Sequence, residues 1–320
     1  MKIGPWISER IPITGEQIRH FTSEPVPHHL KRWWFALGGT PAYLFLVQIF
    51  TGILLAMYYQ PTQGGAYESI RAIGTDITYG WFIRSIHKWA ATLMVAAVIL
   101  HQMRVFFTGA YRRPRELNWM FGMFLLLCTL MGGFTGYSLV YEQLSYWGAT
   151  VASNLTESVP ILGTPLKRFL LAGDGYNENT LPRFFILHAA ILPVTMTLLI
   201  GIHILLIRLL GITELKFEDE PPGEKRHFRF FPDHFLTELG IGLFLMILLC
   251  TLSMIFPAEM GPKANPLTTP EGIKPEWYFY ASFRWLKLWP LTFAVLSTGF
   301  IVFIAFAWPF IDALLRRLFK

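Results

Sequence analysis

The chain has 320 residues, 53% of them hydrophobic and only 15% charged, against roughly 45–50% and about 25% in soluble domains. That balance excludes an ordinary soluble globular protein, and the formal charge of +6 reads as membrane topology, giving no reason to invoke nucleic acid as a partner. Cys128 and Cys250 stand alone in apolar runs, which excludes an iron–sulfur site, a structural zinc and covalent c-type haem attachment within this chain.

Residues 1–34 mix charges with Trp6, Ile7, Ile11, Ile18 and Phe21; they read as an amphipathic segment on the cytoplasmic membrane surface, a frayed tail being the alternative. Six apolar runs follow, at 35–58, 85–107, 120–140, 184–210, 236–256 and 290–315. Each can cross a ~30 Å hydrocarbon core, which needs roughly 20 helical residues. The first run lies behind many charges and is not expected to be a cleavable signal peptide. The predicted fold class is an all-α integral membrane protein: a four-helix bundle over 35–210, a polar linker at 211–235, and a two-helix C-terminal domain at 236–320. Of the 27 Lys and Arg, 17 fall in the N-terminal segment, the second-to-third and fourth-to-fifth loops and the C-terminus. By the positive-inside rule both termini are cytoplasmic. The outer connections at 141–183 and 257–289 carry apolar residues between turn residues, which predicts short helices lying flat against the bundle and walling a pocket.

The second run contains His87 and His101, and the fourth contains His188 and His203. Polar metal-binding side chains inside spans are costly and are functional candidates by default. Fourteen residues fall about 40° short of four turns, so His87 and His101 share a face. Fifteen overshoot by about 60°, so His188 and His203 face alike with some twist or a bulge near Pro193. Both helices run from outside to inside, which sets His87 and His188 near the outer surface and His101 and His203 near the inner one, ~21 Å apart along the helices. Two bis-histidine b-type haems stacked across the membrane fit this arrangement; packing or interhelical hydrogen bonding by the histidines is the alternative.

Gly38 and Gly52 in the first run, and Gly122 and Gly136 in the third, repeat the fourteen-residue spacing. A flat macrocycle between helices needs positions without a Cβ at its own depth, although small residues also serve close helix packing. Arg84 on the outer side, and Arg104 and Arg115 on the inner side, are candidate partners for haem propionates, with interfacial snorkelling the alternative. The remaining histidines, at 20, 28, 29, 227 and 234, sit in polar segments and read as solvated.

Pro275-Glu276-Trp277-Tyr278, Gly136-Tyr137-Ser138-Leu139-Val140-Tyr141-Glu142-Gln143 and the four histidines resemble cytochrome b of the Rieske/cytochrome b quinol-oxidising complexes. The resemblance runs from about Trp33 to about Leu288. The spacings of 14 and 15, with Arg112-Arg113-Pro114-Arg115-Glu116-Leu117 and Ile161-Leu162-Gly163-Thr164-Pro165-Leu166, are most similar to the split-type cytochrome b of photosynthetic complexes, here with the quinol-site region fused. The resemblance implies quinol oxidation at the outer face, one electron leaving to a Rieske iron–sulfur protein and the other crossing two b haems to a quinone near the inner face, with proton translocation. It implies Glu276 as proton acceptor, because a carboxyl in an apolar pocket can take and pass on a proton near neutrality. Tyr278 and Tyr137 are implied to shape that pocket, with packing an equal reading for Tyr137. Arg208 matches a family position near the inner haem.

Split-type relatives carry a Cys before the Leu-Gly-Gly of the first helix, holding an extra c-type haem; here that position is Ala36, so no c-type haem is expected on this chain. Relatives also have more than six spans, so a small subunit is expected to supply the missing helices. A c-type cytochrome subunit, a dimeric complex and membrane lipid complete the expected partners, in a bacterial cytoplasmic membrane. Two other classes remain open from sequence: a di-haem membrane anchor of a dehydrogenase or hydrogenase, and a transporter or channel without haem.

Overall fold

A computed structural model describes residues 16, 25–27, 30, 37–213 and 227–319. Most of the predicted amphipathic segment at 1–34, Ala36 and positions 214–226 of the linker lie outside the described residues. In chain order the elements are β1 (Pro25–Pro27), α1 (Gly39–Ala56), α2 (Ala66–Thr75), α3 (Gly80–Phe107), α4 (Glu116–Ser138), α5 (Gln143–Glu157), α6 (Gly163–Leu171), α7 (Thr180–Ile186), α8 (Leu192–Leu210), β2 (His227–Arg229), α9 (Phe235–Ile255), α10 (Trp277–Leu288) and α11 (Leu291–Leu318).

Six helical stretches among the described residues are long and apolar enough to cross a membrane: Gly39–Ala56, Gly80–Phe107, Glu116–Ser138, Thr180–Leu210, Phe230–Ile255 and Leu291–Leu318. The protein is a multi-pass membrane protein with the six predicted spans. Several helices extend past the apolar runs that announce them, because polar residues such as Arg84 and Glu116 can finish a helix in the interfacial layer. The short α5 and α6 occupy the predicted outer connection, and α10 occupies the later one. The surface helix α2 was not expected. Nor was the antiparallel pairing of β1 with β2, Val26 opposite Phe228. Three-residue strands, one with two prolines that cannot donate to a ladder, leave no alternation to read.

Packing pairs the spans. α3 lies along α1, α8 along α4, α9 against α3 and α1, and α11 against α4. Helix association in lipid depends on close van der Waals fit, because lipid tails are as apolar as the helices. Small residues accordingly line the contacts. Ala90 and Ala97 of α3 are buried with Leu44, Phe45 and Val47 of α1. Gly242 of α9 admits the Tyr43 ring, where a Cβ would sit only 3.1 Å from Cε2. Large apolar residues such as Phe50, Leu198 and Phe244 remain exposed, as lipid-facing residues must. At the predicted inner end Trp119 donates from Nε1 to the Ala305 carbonyl (2.8 Å) and Trp308 to the Tyr111 hydroxyl (3.0 Å), fixing α11 to the bundle.

On the predicted outer side, the segment leading to α10 is tied down at many points. Trp89 Nε1 donates to the Phe256 carbonyl (2.9 Å), Tyr67 to the Gly261 carbonyl (2.9 Å), and Ser85 accepts from the Ala258 N–H (2.9 Å). The Glu142 carboxylate accepts from the Gly261 N–H at 2.6 Å, joining the end of α4 to this segment. Hydrogen bonds to a charged group are worth about 1.5–3 kcal/mol. Glu142→Ala should therefore lower stability by about 1–3 kcal/mol, read as a depressed thermal midpoint of the detergent-solubilised protein.

Candidate functional site

α3 presents His87 and His101 fourteen residues apart, and the α7–α8 stretch presents His188 and His203 fifteen apart. One extra residue in a regular helix would turn His203 about 100° away from its mate. The chain absorbs it in a wide turn at Leu187–Ile191, where the Leu192 N–H bonds back to the Leu187 carbonyl. Such a turn takes up one residue, so the second histidine couple regains the phase of the first. Pro193, next in line, has no N–H and crowds the carbonyl four residues before it, which favours the widening.

The rings then meet in pairs. His87 and His188 have centroids 6.2 Å apart with planes at 72°. His101 and His203 have centroids 6.5 Å apart with planes at 75°. The two meetings are separated by ~21 Å of helix rise. α3 and α8 do not pack along one another; each leans on its own neighbour, α1 or α4, and a slot is left between them. All four histidines are half-buried.

Glycine lines the slot at both levels. A Cβ on Gly52 would lie 3.3 Å from His87 Cε1, and one on Gly136 only 2.7 Å from His188 Cε1. At the inner level, Cβ atoms on Gly38 and Gly122 would each lie 3.6 Å from Cε1 of His101 and His203 respectively. Every glycine of the two fourteen-residue couples thus faces one histidine.

These features fit an axially ligated haem at each level. An imidazole nitrogen binds a first-row metal at about 2 Å and its ring centre lies roughly 1 Å behind, so trans imidazoles sit about 6 Å centre to centre. Arg104, one turn beyond His101, has a buried Nε without a partner among the described residues, an open donor suited to a carboxylate. The other three arginines are placed differently. Arg84 donates from Nη1 to the Ala258 carbonyl (2.6 Å) and from Nη2 to the Glu259 carbonyl (3.1 Å), so it holds the outer segment. Arg115 donates to the Gly211 and Leu210 carbonyls at 3.0 and 3.2 Å, capping the C-terminus of α8 where the helix dipole favours a cation. Arg208 lies over the Phe230 ring, 5.3 Å from its centroid.

Above the outer pair, Glu276 stands at the N-terminus of α10, where its side chain makes no capping hydrogen bond. Tyr278 reaches α4 and rests on Gly133, where a Cβ would lie 2.8 Å from its hydroxyl. Glu276 and Tyr137 both act electrostatically on Tyr278, so the three are neighbours. Sequence reasoning missed two further features. Thr51 and Thr135 hold Nδ1 of His87 and His188 at 2.8 and 3.1 Å. On the inner side His234 is not solvated as expected: it is largely buried, its Nδ1 has no partner among the described residues, and its Nε2 is 3.7 Å from Glu238. The Glu238 carboxylate lies against Gly39, next to the Gly38 level. The i, i+4 spacing of His234 and Glu238 at the head of a span was the available signal.

Residues 21–211 match the family model described as "Cytochrome b/b6/petB", and residues 263–318 match "Cytochrome b(C-terminal)/b6/petD". The chain belongs to the cytochrome b family. A cytochrome bc complex cytochrome b subunit from Chlorobaculum thiosulfatiphilum is 38% identical over 287 residues, covering 89% of this chain and 67% of the relative. A cytochrome b6 from Heliomicrobium gestii is 41% identical over 209 residues, covering 65% of this chain and 98% of the relative. A solved structure titled hyperthermophilic respiratory Complex III superimposes with a TM-score of 0.85 at 28% identity, over 96% of this chain and 82% of that one. Family membership carries b-type haem binding and electron transport with it.

Burial, with the Glu276 carboxylate and then Tyr137 beside it, raises the ionisation point of Tyr278 above the usual tyrosine range. An unfolded tyrosine loses its proton near pH ~10 while the folded one keeps it, so this contribution to stability is intact below pH ~10 and lost as pH rises further. Tyr278→Phe should flatten the alkaline fall of the melting temperature, measured in matched melts on both sides of that pH.

Proposed function

We propose that this chain is the di-haem cytochrome b subunit of a quinol-oxidising complex, with His87 and His188 holding the outer haem and His101 and His203 the inner one. The observation that carries the reading is the pair of imidazole meetings at 6.2 and 6.5 Å, each facing glycines of α1 and α4. When bound, the haems supply one-electron transfer across the membrane interior.

The chain supplies positions and proton handling. Gly38, Gly52, Gly122 and Gly136 leave the slot open, and Arg104 offers its unpartnered Nε to a propionate on the inner side. Quinol docks at the outer face beneath α10. There Glu276, uncommitted as a helix cap, accepts a hydroxyl proton, while Tyr278 and Tyr137 shape the pocket and limit water. Quinol loses two protons to the outside and two electrons. One electron leaves to a Rieske iron–sulfur protein and onward to a c-type cytochrome; the other crosses to the inner level, so that two quinol oxidations together reduce one quinone. His234 and Glu238, beside Gly39, stand where that quinone would take up protons from the cytoplasm. Release on one side and uptake on the other translocates protons.

This reading places both termini in the cytoplasm of a bacterium, within a dimeric complex. The di-haem unit corresponds to 35–210 and the quinol-site domain to 236–320, joined by the linker at 211–235.

Two substitutions test the two halves. Gly136→Ala puts a methyl group into the His188 ring, so haem content should fall towards half while the inner haem persists; full occupancy would argue against the outer assignment. Glu276→Gln should slow quinol oxidation by about 10²-fold with both haems retained; unchanged turnover of the purified complex would remove Glu276 from the mechanism.

A further inference from the structure

The glycines that face the histidines do not have the same neighbours at the two levels. On the outer level they follow threonine, as Thr51-Gly52 in α1 and Thr135-Gly136 in α4; on the inner level they follow Leu37 and Phe121. Both threonines are buried, at 4% and 0% exposure, so solvent cannot substitute for their bonds. The Thr51 hydroxyl donates to the Val47 carbonyl at 2.7 Å, and its oxygen lies 2.8 Å from His87 Nδ1. The Thr135 hydroxyl donates to the Met131 carbonyl at 2.8 Å, and its oxygen lies 3.1 Å from His188 Nδ1.

A hydroxyl has one proton to give. Here each helix carbonyl takes it, so the threonine oxygen can only accept. Nδ1 of each outer histidine then carries its hydrogen, which leaves the lone pair on Nε2; at His188 the Gly132 backbone is a further acceptor beside the ring. An acceptor on the far nitrogen also makes the imidazole a more basic ligand. At the inner level no hydroxyl among the described residues stands behind either ring. His101 Nδ1 has the Arg104 guanidinium 3.3 Å away, a group that only donates, and His203 has a backbone partner at Asn118, with Nδ1 outside close hydrogen-bond geometry.

We infer that Thr51 and Thr135 are positioning residues for the outer haem, locking both axial imidazoles in the Nδ1–H form and making them the more electron-rich pair. The inference rests on the proposed ligation of the outer haem by His87 and His188. A basic axial ligand favours oxidised iron, so losing the acceptor should ease reduction at the outer level and leave the inner level alone.

The test is potentiometric titration of the b-type absorbance in the purified intact complex, alongside haem counting. Thr51→Val and Thr135→Val keep the shape and remove the hydroxyl. Each should shift the reduction equilibrium of one haem component towards the reduced form by up to about tenfold, ~59 mV for one electron, while Thr51→Ser and Thr135→Ser restore the parent value. Arg104→Gln should move the other component. Loss of the outer haem in the valine variants with full recovery in the serine variants supports the inference equally. It is overturned if the valine variants keep both haems at parent midpoints, if serine fails to restore what valine changes, or if the threonine and Arg104 variants move the same component. A parent complex holding fewer than two b haems would instead sink the proposed ligation itself.

Discussion

The structure turns on a separation: α3 and α8 are held apart, each supported from behind, so that imidazoles meet across a slot and the helix backbones do not. In lipid, helices bind one another through close fit, so keeping two spans apart requires other contacts to hold them in place. α1 behind α3 and α4 behind α8 provide those contacts, and their glycines supply the width that a planar group needs. The outer helices and the stapled segment before α10 then close the slot from above, which sets Glu276 and Tyr278 near the outer pair.

Polar groups in the spans follow the same logic. Many buried hydroxyls in the bundle donate to a helix carbonyl, as Thr51, Thr135, Ser85 and Thr129 show. Among the described residues, those without a partner include ordinary span positions such as Thr40 and Ser253 as well as Arg104 Nε, His203 Nδ1 and His234 Nδ1.

Much of this was legible in the sequence, for identifiable reasons. Spans announce themselves by length and apolarity, and histidine inside a span is rare enough to stand out. Glycine couples at the same fourteen-residue interval gave a second, independent depth marker, and the structure brings each glycine to a histidine. The fifteen-residue interval signalled a bulge, found at Leu187–Ile191. Legibility failed where a residue type is ordinary. Threonine is common in apolar helices, so nothing marked Thr51 or Thr135 until the rings were in place. Arginines near helix ends are interchangeable on paper, yet Arg84 and Arg115 spend their donors on backbone carbonyls. His234 looked solvated because its neighbours in sequence are polar, whereas burial is decided by the neighbours in space.

The wide turn in the fourth span has a consequence for how this helix can vary. α3 has no such irregularity, so a residue inserted or deleted between His87 and His101 would swing everything beyond it by about 100°. Between His188 and His203 the chain already carries one residue more than a regular helix would use. Removing it, with Pro193 replaced, would let the turn close to ordinary geometry with both imidazoles still in phase. One of the two histidine-bearing helices is therefore rigid in length, and its mate holds a spare increment.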